Sequence, residues 1–522
     1  MSPIHARLTV YGSPPKMPWF EAAKQKKTTP TRPPTAPTQL SVEATLEKVK
    51  PFSRDSQKAR GLNNYVMEMI ALDDQPFSVV GDRGFRRLVG KLEPRYVLPS
   101  RRYFSDVALP ELNCRVSAHL KVVLAANSHI SFTTDIWSSD VSPMSMLSLT
   151  AQWIEDDFTL QKVVLHTQEC RGSHTGANIA AAFNTMFATW GIPKEHVHVI
   201  LRDNARNMAR AALDGNIASL PCMAHTLQLA VNEGVLAQPG VTSMLKLGRQ
   251  IIGHFKHSTL AYTQLEDVQI ELGMKIKRFQ QDVQTRWNST YYMMQSLLEQ
   301  RRALAMYATD YDLPATLTLS QWGVMENMLS ILAPFEEMTR DISSAAACVS
   351  TVIPSVLALT RLLATDADKD EGIKTAKRTL LAAVKRRFAS IQTEPLYCVA
   401  TLLDPRYKDR FFDKENTQSA LDMLKTAVEK LESSSAGESA EDAQRAVRTE
   451  PEPGQSSQDM EPGETDDAPP QQKAARRSTL SDMFDEILQE SGAMDSEPQV
   501  TLHSALQVSV LLNKQHVQPA YI

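Results

Sequence analysis

The chain has 522 residues, 42% of them hydrophobic, and a formal charge of -4, a size that calls for two to four domains with real cores. No apolar run reaches the roughly 20 residues of a membrane span, and the opening MSPIHARLTVYGSPPK lacks a signal-peptide core, so an intracellular chain with no membrane partner is expected. Cys114, Cys170, Cys222, Cys348 and Cys398 contain no CxxC pair, which leaves neither a disulfide framework nor a complete zinc finger in view.

In chain order, residues 1–57 form a basic, Pro-rich tail. Its first 50 residues hold eight Lys or Arg against three acids and eight prolines, a composition expected to stay extended. The cluster KQKKTTPTRPPTAP reads as a nuclear-localisation or nucleic-acid patch, or as plain solvated linker. Residues 58–125 are mostly helical in pattern, broken by a turn-like PFSVVGDRGF and an extended PRYVLPSR.

The periodicity then changes. HISFTTDIW (129–137), SMLSLTAQWI (145–154) and TLQKVVLHTQE (159–169) predict an antiparallel meander. A helix near Thr175, a strand ending at Asp203, a helix NARNMARAAL, a short strand IASLPC and a helix from Ala224 complete a βββαβαβα series over 126–240. Residues 241–432 are helical throughout. Residues 441–467 carry nine acids against two arginines in a Ser, Gly and Pro-rich setting, so 433–478 is expected to be an acidic disordered linker. Residues 479–522 hold one short helix, LSDMFDEILQES, and a divergent end.

The α/β class with three hairpin strands and following αβ units resembles a ribonuclease H-like domain carrying a large all-α insertion between disordered termini. In that arrangement strands one and four lie side by side, about 4.8 Å apart, which would bring Asp135 and Asp203 around one site. Paired carboxylates of this kind hold Mg²⁺ for phosphodiester chemistry. The alternative is that Asp203 caps the following helix and Asp135 bonds a neighbouring loop. Trp137 and Trp153 are assigned to the core.

Six ordered motifs are more specific. PFSVVGDRGFRRLVGKLEPRYVLPSRRYF, FTTDIWSS, LRDNARNM, PCMAHTLQLAV, QTRWNSTYYM and ATLLDPRYKDRFF together resemble hAT-superfamily transposases, and among them the host proteins with zinc finger BED domains. The resemblance implies that Asp135 and Asp203 are the first two metal-binding carboxylates of an Asp, Asp, Glu triad. Its third member is expected in a segment similar to SERVFS, and no such string occurs here. It further implies that His225, in CxxH with Cys222, stands beside the scissile phosphate, that Trp287 stacks on an unpaired base, and that Arg286 binds phosphate. The plainer readings stay open: a packed Cys222 with a locally bonded His225, and Trp287 as a packing anchor. The basic helix KTAKRTLLAAVKRRF (374–388) is either a phosphate track or a solvated face.

Three functions follow from these residues: a nuclear, DNA-binding transcription regulator that is catalytically inactive; an Mg²⁺-dependent transposase; or a scaffold for protein partners or self-association. Zinc would enter only through a BED finger in a longer isoform.

Overall fold

The protein was analysed as a computed structural model that describes residues 50–138, 144–155, 157–344, 346–365, 372–445 and 479–492. The expected tail up to residue 49, the linker from 446 to 478 and the divergent end from 493 lie outside the described residues. The chain divides into two compact units at Pro221 and Cys222. None of the described helices is long and apolar enough to cross a membrane.

Unit 1 opens with helix α1 (Gln57–Leu72), whose first turn is closed by Ser56 Oγ accepting the Ala59 N–H at 3.3 Å. Its inward face carries Ala59, Asn63, Met67 and Ile70 at helical spacing. The buried amide of Asn63 is satisfied on both sides: Tyr96 Oη donates to its Oδ1 at 2.6 Å, and its Nδ2 donates to Tyr103 Oη at 3.1 Å. The turn-like segment resolves into a short 3₁₀ turn, Phe77–Gly81, and helix α2 (Arg83–Leu92). A π turn at Phe104–Ala108 leads into α3 (Leu109–Ala126). Met67, Ile70, Val80, Phe104 and Ala108 form the small core of this helical segment.

The meander is present as β1 (Ile130–Ser138), β2 (Ser145–Ile154) and β3 (Leu160–Glu169), all antiparallel. Helix α4 (Gly176–Trp190) is capped by Thr175 and stopped by Gly191 in the left-handed region at φ 68°. It lays Ile179, Phe183, Met186 and Phe187 into a core shared with Phe132, Leu147 and Leu149. Strand β4 (Val197–Arg202), helix α5 (Arg206–Asp214) and the three-residue β5 (Ser219–Pro221) follow. The mixed sheet has the order β3-β2-β1-β4-β5, with β1, β4 and β5 parallel. Trp153 is buried, but Trp137 is 42% exposed, which corrects its assignment to the core. The reason is local: Trp137 falls on the same outward face of β1 as Ser131, Thr133 and Asp135, while Ile136 beside it packs on the core.

Unit 2 is helical. The eighth element of the expected series, α6 (Met223–Val231), is its first, and a π turn at Asn232–Leu236 separates it from α7 (Pro239–His257). Then come α8 (Thr259–Glu271), α9 (Trp287–Glu299), α10 (Arg301–Asp310), α11 (Leu319–Ile342), α12 (Val352–Ala364), α13 (Lys374–Arg387), α14 (Pro395–Leu403), α15 (Lys414–Arg445) and α16 (Thr479–Gly492). Helix α15 continues to Arg445, past residue 433 where composition predicts disorder. Extending an existing helix through Ala and Glu residues costs far less than nucleating one. The DPRYK motif acts as a clasp at the end of α14. Asp404 accepts Arg406 Nη2 at 2.7 Å and Ser350 Oγ at 2.6 Å, and Tyr407 and Phe411 meet Phe484 of α16 at ring distances of 6.4 and 6.1 Å.

The basic helix α13 is largely committed to packing. Lys377 is buried and donates to Thr365 O, while Arg386 and Arg387 both pair with Glu233. It crosses the π turn where Gly234 stands: a Cβ there would lie 2.5 Å from Leu380 Cα and 2.9 Å from its nitrogen. Gly234 O also accepts from Thr379 Oγ1 and, at 2.7 Å, from Gln238 Nε2. Gly234→Ala must push two backbones apart, so a loss of about 2 kcal/mol is expected. Urea unfolding of the variant checks this; a midpoint equal to that of the parent protein would show that the crossing is loose.

Candidate functional site

In unit 1 the site depends on strand register. On β1, Phe132 and Thr134 face inward and Ser131, Thr133 and Asp135 share the other face. The parallel partner pairs Phe132 with Ile200 and Thr133 with Leu201. The pairing stops at Thr133 and Leu201; Asp135 lies two residues further along β1, and Asp203 directly follows the end of β4 at Arg202. Asp135 is exposed and pairs across the antiparallel side with Ser148. Asp203 is half-buried and accepts the Ala205 N–H at 3.0 Å through Oδ1.

That bond settles the local role of Asp203. Ala205, not Asp203, is the N-cap of α5, and it makes no side-chain cap bond; Asp203 instead closes the tight turn just before it. One carboxylate oxygen is occupied in this way. Next to it, Arg202 donates from Nε to Ser219 Oγ at 3.1 Å and from Nη1 to the Asp203 carbonyl at 2.9 Å. Burial lowers the pKa of Arg202 against the opposing pull of Asp203. Two carboxylates thus stand at the ends of neighbouring strands, Asp135 on β1 and Asp203 just after β4. Among the described residues, no cluster of three or more Asp, Glu, His or Cys side chains forms a metal-binding group.

The other sequence-predicted residues lie in unit 2. Cys222 is the N-cap of α6 and His225 sits half-buried in its first turn. Gln228, one turn later on the same face, accepts the Trp287 backbone N–H through Oε1 at 2.8 Å. The structure thus ties the helix of His225 to the helix start that bears Arg286 and Trp287. Arg286 is exposed at the N-cap of α9, whereas Trp287 is only 1% exposed. Its indole therefore presents no open face, and two buried donors here, Trp287 Nε1 and Gln228 Nε2, have no hydrogen-bond partner.

Sequence reasoning missed what holds this corner. Asp282, with 1% of its side chain exposed, accepts Arg249 Nη2 at 2.7 Å and Arg249 Nε at 3.1 Å, and Thr290 Oγ1 donates to it at 2.9 Å. Burial by itself would raise the Asp282 pKa, but the bonds from Arg249 and Thr290 outweigh it and hold the carboxyl below its ordinary value. An acid five residues ahead of Trp287, in QDVQTRWNST, is the signal that could have found it.

Residues 133–222 match the ZBED1 RNase-like domain and residues 220–331 match the ZBED1 RNase-like helical domain. The chain is 30% identical over 412 residues to human "Zinc finger BED domain-containing protein 4", covering 76% of this chain and 35% of that protein. It is 26% identical over 364 residues to "Putative AC transposase" of Zea mays, covering 65% and 44%. It is 24% identical over 379 residues to "Putative transcriptional regulator tpeD" of Talaromyces stipitatus, covering 65% and 43%. The chain belongs to the hAT-transposase-derived family that includes the zinc finger BED domain-containing proteins. It spans between 35% and 44% of the length of these three relatives.

Removing the Asp282 charge leaves Arg249 without its partner. Asp282→Asn is expected to destabilise unit 2 by about 3 kcal/mol, the low end for a buried pair, because 24% of the Arg249 side chain remains open to water. The lowered carboxyl pKa also fixes the sign of a pH effect. The ion pair contributes its full stability above the unfolded pKa of about 4 and loses it as pH falls through the lower folded value. Denaturation followed from pH 7 downward should show a steeper acid-side loss for the parent protein than for Asp282→Asn.

Proposed function

We propose that this chain is a transposase-derived nuclear protein that binds DNA, regulates transcription and does not cleave its target, built on a ribonuclease H-like core. The observation that carries the reading is the parallel pairing of β1 and β4, which brings the strand bearing Asp135 beside the one that Asp203 follows, in a chain similar to a BED-finger protein, a transposase and a transcriptional regulator. Asp135 and the free oxygen of Asp203 would hold Mg²⁺, and a bound ion there would polarise a phosphodiester. Two carboxylates, one of them engaged by Ala205, are a weak cage for a two-metal reaction, so inactivity is the favoured reading. Phosphate contact falls to exposed cations, among them Arg286 and, on α13, Lys374, Arg378 and Lys385.

The placement of Asp135 and Asp203 also supports a second reading, an active transposase. Both are tested in one gel with end-labelled random duplex DNA, a salt series, and Mg²⁺ or Mn²⁺. A shift that weakens steeply with salt and leaves the DNA intact is expected, since phosphate contacts release counterions. Metal-dependent nicks that vanish in Asp135→Ala would replace the silent regulator with the enzyme. DNA that neither shifts nor breaks at low salt would sink both in favour of a protein scaffold.

A further inference from the structure

The helical segment at the start of unit 1 has more surface than its small core can use. Helix α2 buries none of its residues, and Leu88 and Leu92 on it are 57% and 77% exposed. Between α1, the extended stretch before Arg101 and the start of α3 runs a groove of about 1450 Å³. Its apolar floor includes Val80, Val97, Leu98 and Val107, with Val97 53% exposed.

The charged lining is of one kind. Arg54, Arg60, Arg86, Arg101 and Arg115 line the groove with no lysine, against Asp55 and Glu111. Arg60 is occupied by the Asp55 carbonyl at 3.1 Å. Among the described residues, no ion pair engages Arg54, Arg86, Arg101 or Arg115. All four are exposed. A ligand that matches must therefore bring several carboxylates or phosphates together with apolar groups.

The rings in the groove separate a peptide from a nucleic acid. Single strands are held by bases stacked on open aromatic faces. Here the Phe52 ring is already covered by Lys58 at 4.7 Å and Arg95 at 4.5 Å. Tyr103 is held by Asn63 and packs edge-on against Phe104 at 5.3 Å. No free stacking platform is left among these rings, while an apolar floor framed by arginine rather than lysine is the composition of a protein-binding surface. An α-helix about 10 Å across, with apolar anchors at i, i+4 and i+7, fits a groove of this kind.

We propose that this groove docks an acidic amphipathic helix of a partner protein, with its apolar face on Val97, Leu98 and Val107 and its carboxylates on Arg86, Arg101 and Arg115. This site is independent of the nucleic-acid reading above. The probe is a fluorescein-labelled helical peptide with leucines at i, i+3, i+4 and i+7 and Asp or Glu between them, titrated with the full chain in anisotropy at about 0.15 M salt. A labelled single-stranded oligonucleotide runs in parallel.

Saturable peptide binding is expected, weakened at least about tenfold by Arg86→Glu with Arg115→Glu, and by Val97→Asp. Lys246→Glu, on the exposed side of α7, should leave it unchanged. Far-UV circular dichroism melts check that the variants fold; if Val97→Asp does not, the arginine pair decides alone. Absent saturation, or equal loss with Lys246→Glu, would overturn the proposal. So would tighter binding of the oligonucleotide that the same two arginine reversals abolish.

Discussion

Parallel pairing of β1 with β4 is the constraint on which unit 1 depends. A one-residue slip would turn Asp135 inward and carry Phe132 out of the core, because side chains alternate strictly along a strand. The core prevents the slip: Phe132 is fully buried and meets Phe187 edge-on at 5.2 Å. Hydrophobic burial on one face of β1 thus fixes where a charge appears on the other. The carboxylate pair at the sheet end follows from apolar packing beneath it.

In unit 2 the comparable control is exerted by buried polar groups. Asp282 joins Arg249 of α7 to Thr290 of α9, and Gln228 of α6 receives the backbone of Trp287. Three helices, two of them consecutive in the chain and the third starting at Trp287, are pinned at one corner by four hydrogen bonds of restricted geometry. The two buried donors left unpaired there cost about 1 to 3 kcal/mol each. The core beneath β1 contains the same kind of donor at Trp153 Nε1 and Trp190 Nε1.

Much of this was legible in the sequence for a simple reason: alternation and turn residues report strands directly. The three runs from 129 to 169 correspond to β1, β2 and β3 within a residue or two, and strands one and four lie side by side in the sheet. What was not legible depends on contacts across long separations. Gly234 looks like any helix-interior glycine until Leu380 is seen against it. Asp282 looks like a loop acid until Arg249 reaches it. Trp137 has the composition of a core residue, but only the folded sheet reveals that its face of β1 is the outward one. The π turns at Phe104–Ala108 and Asn232–Leu236 leave no mark on helical periodicity strong enough to read.

The short strand β5 has a further effect on the sheet as a whole. It is an edge strand of three residues, and its last, Pro221, has no N–H to offer. The opposite edge, β3, is ten residues long. The sheet is therefore polar in its capacity to grow: blunted against strand addition on the side of the parallel pairs, open on the side of the meander. The two margins of this sheet therefore differ in how readily each could accept a further strand.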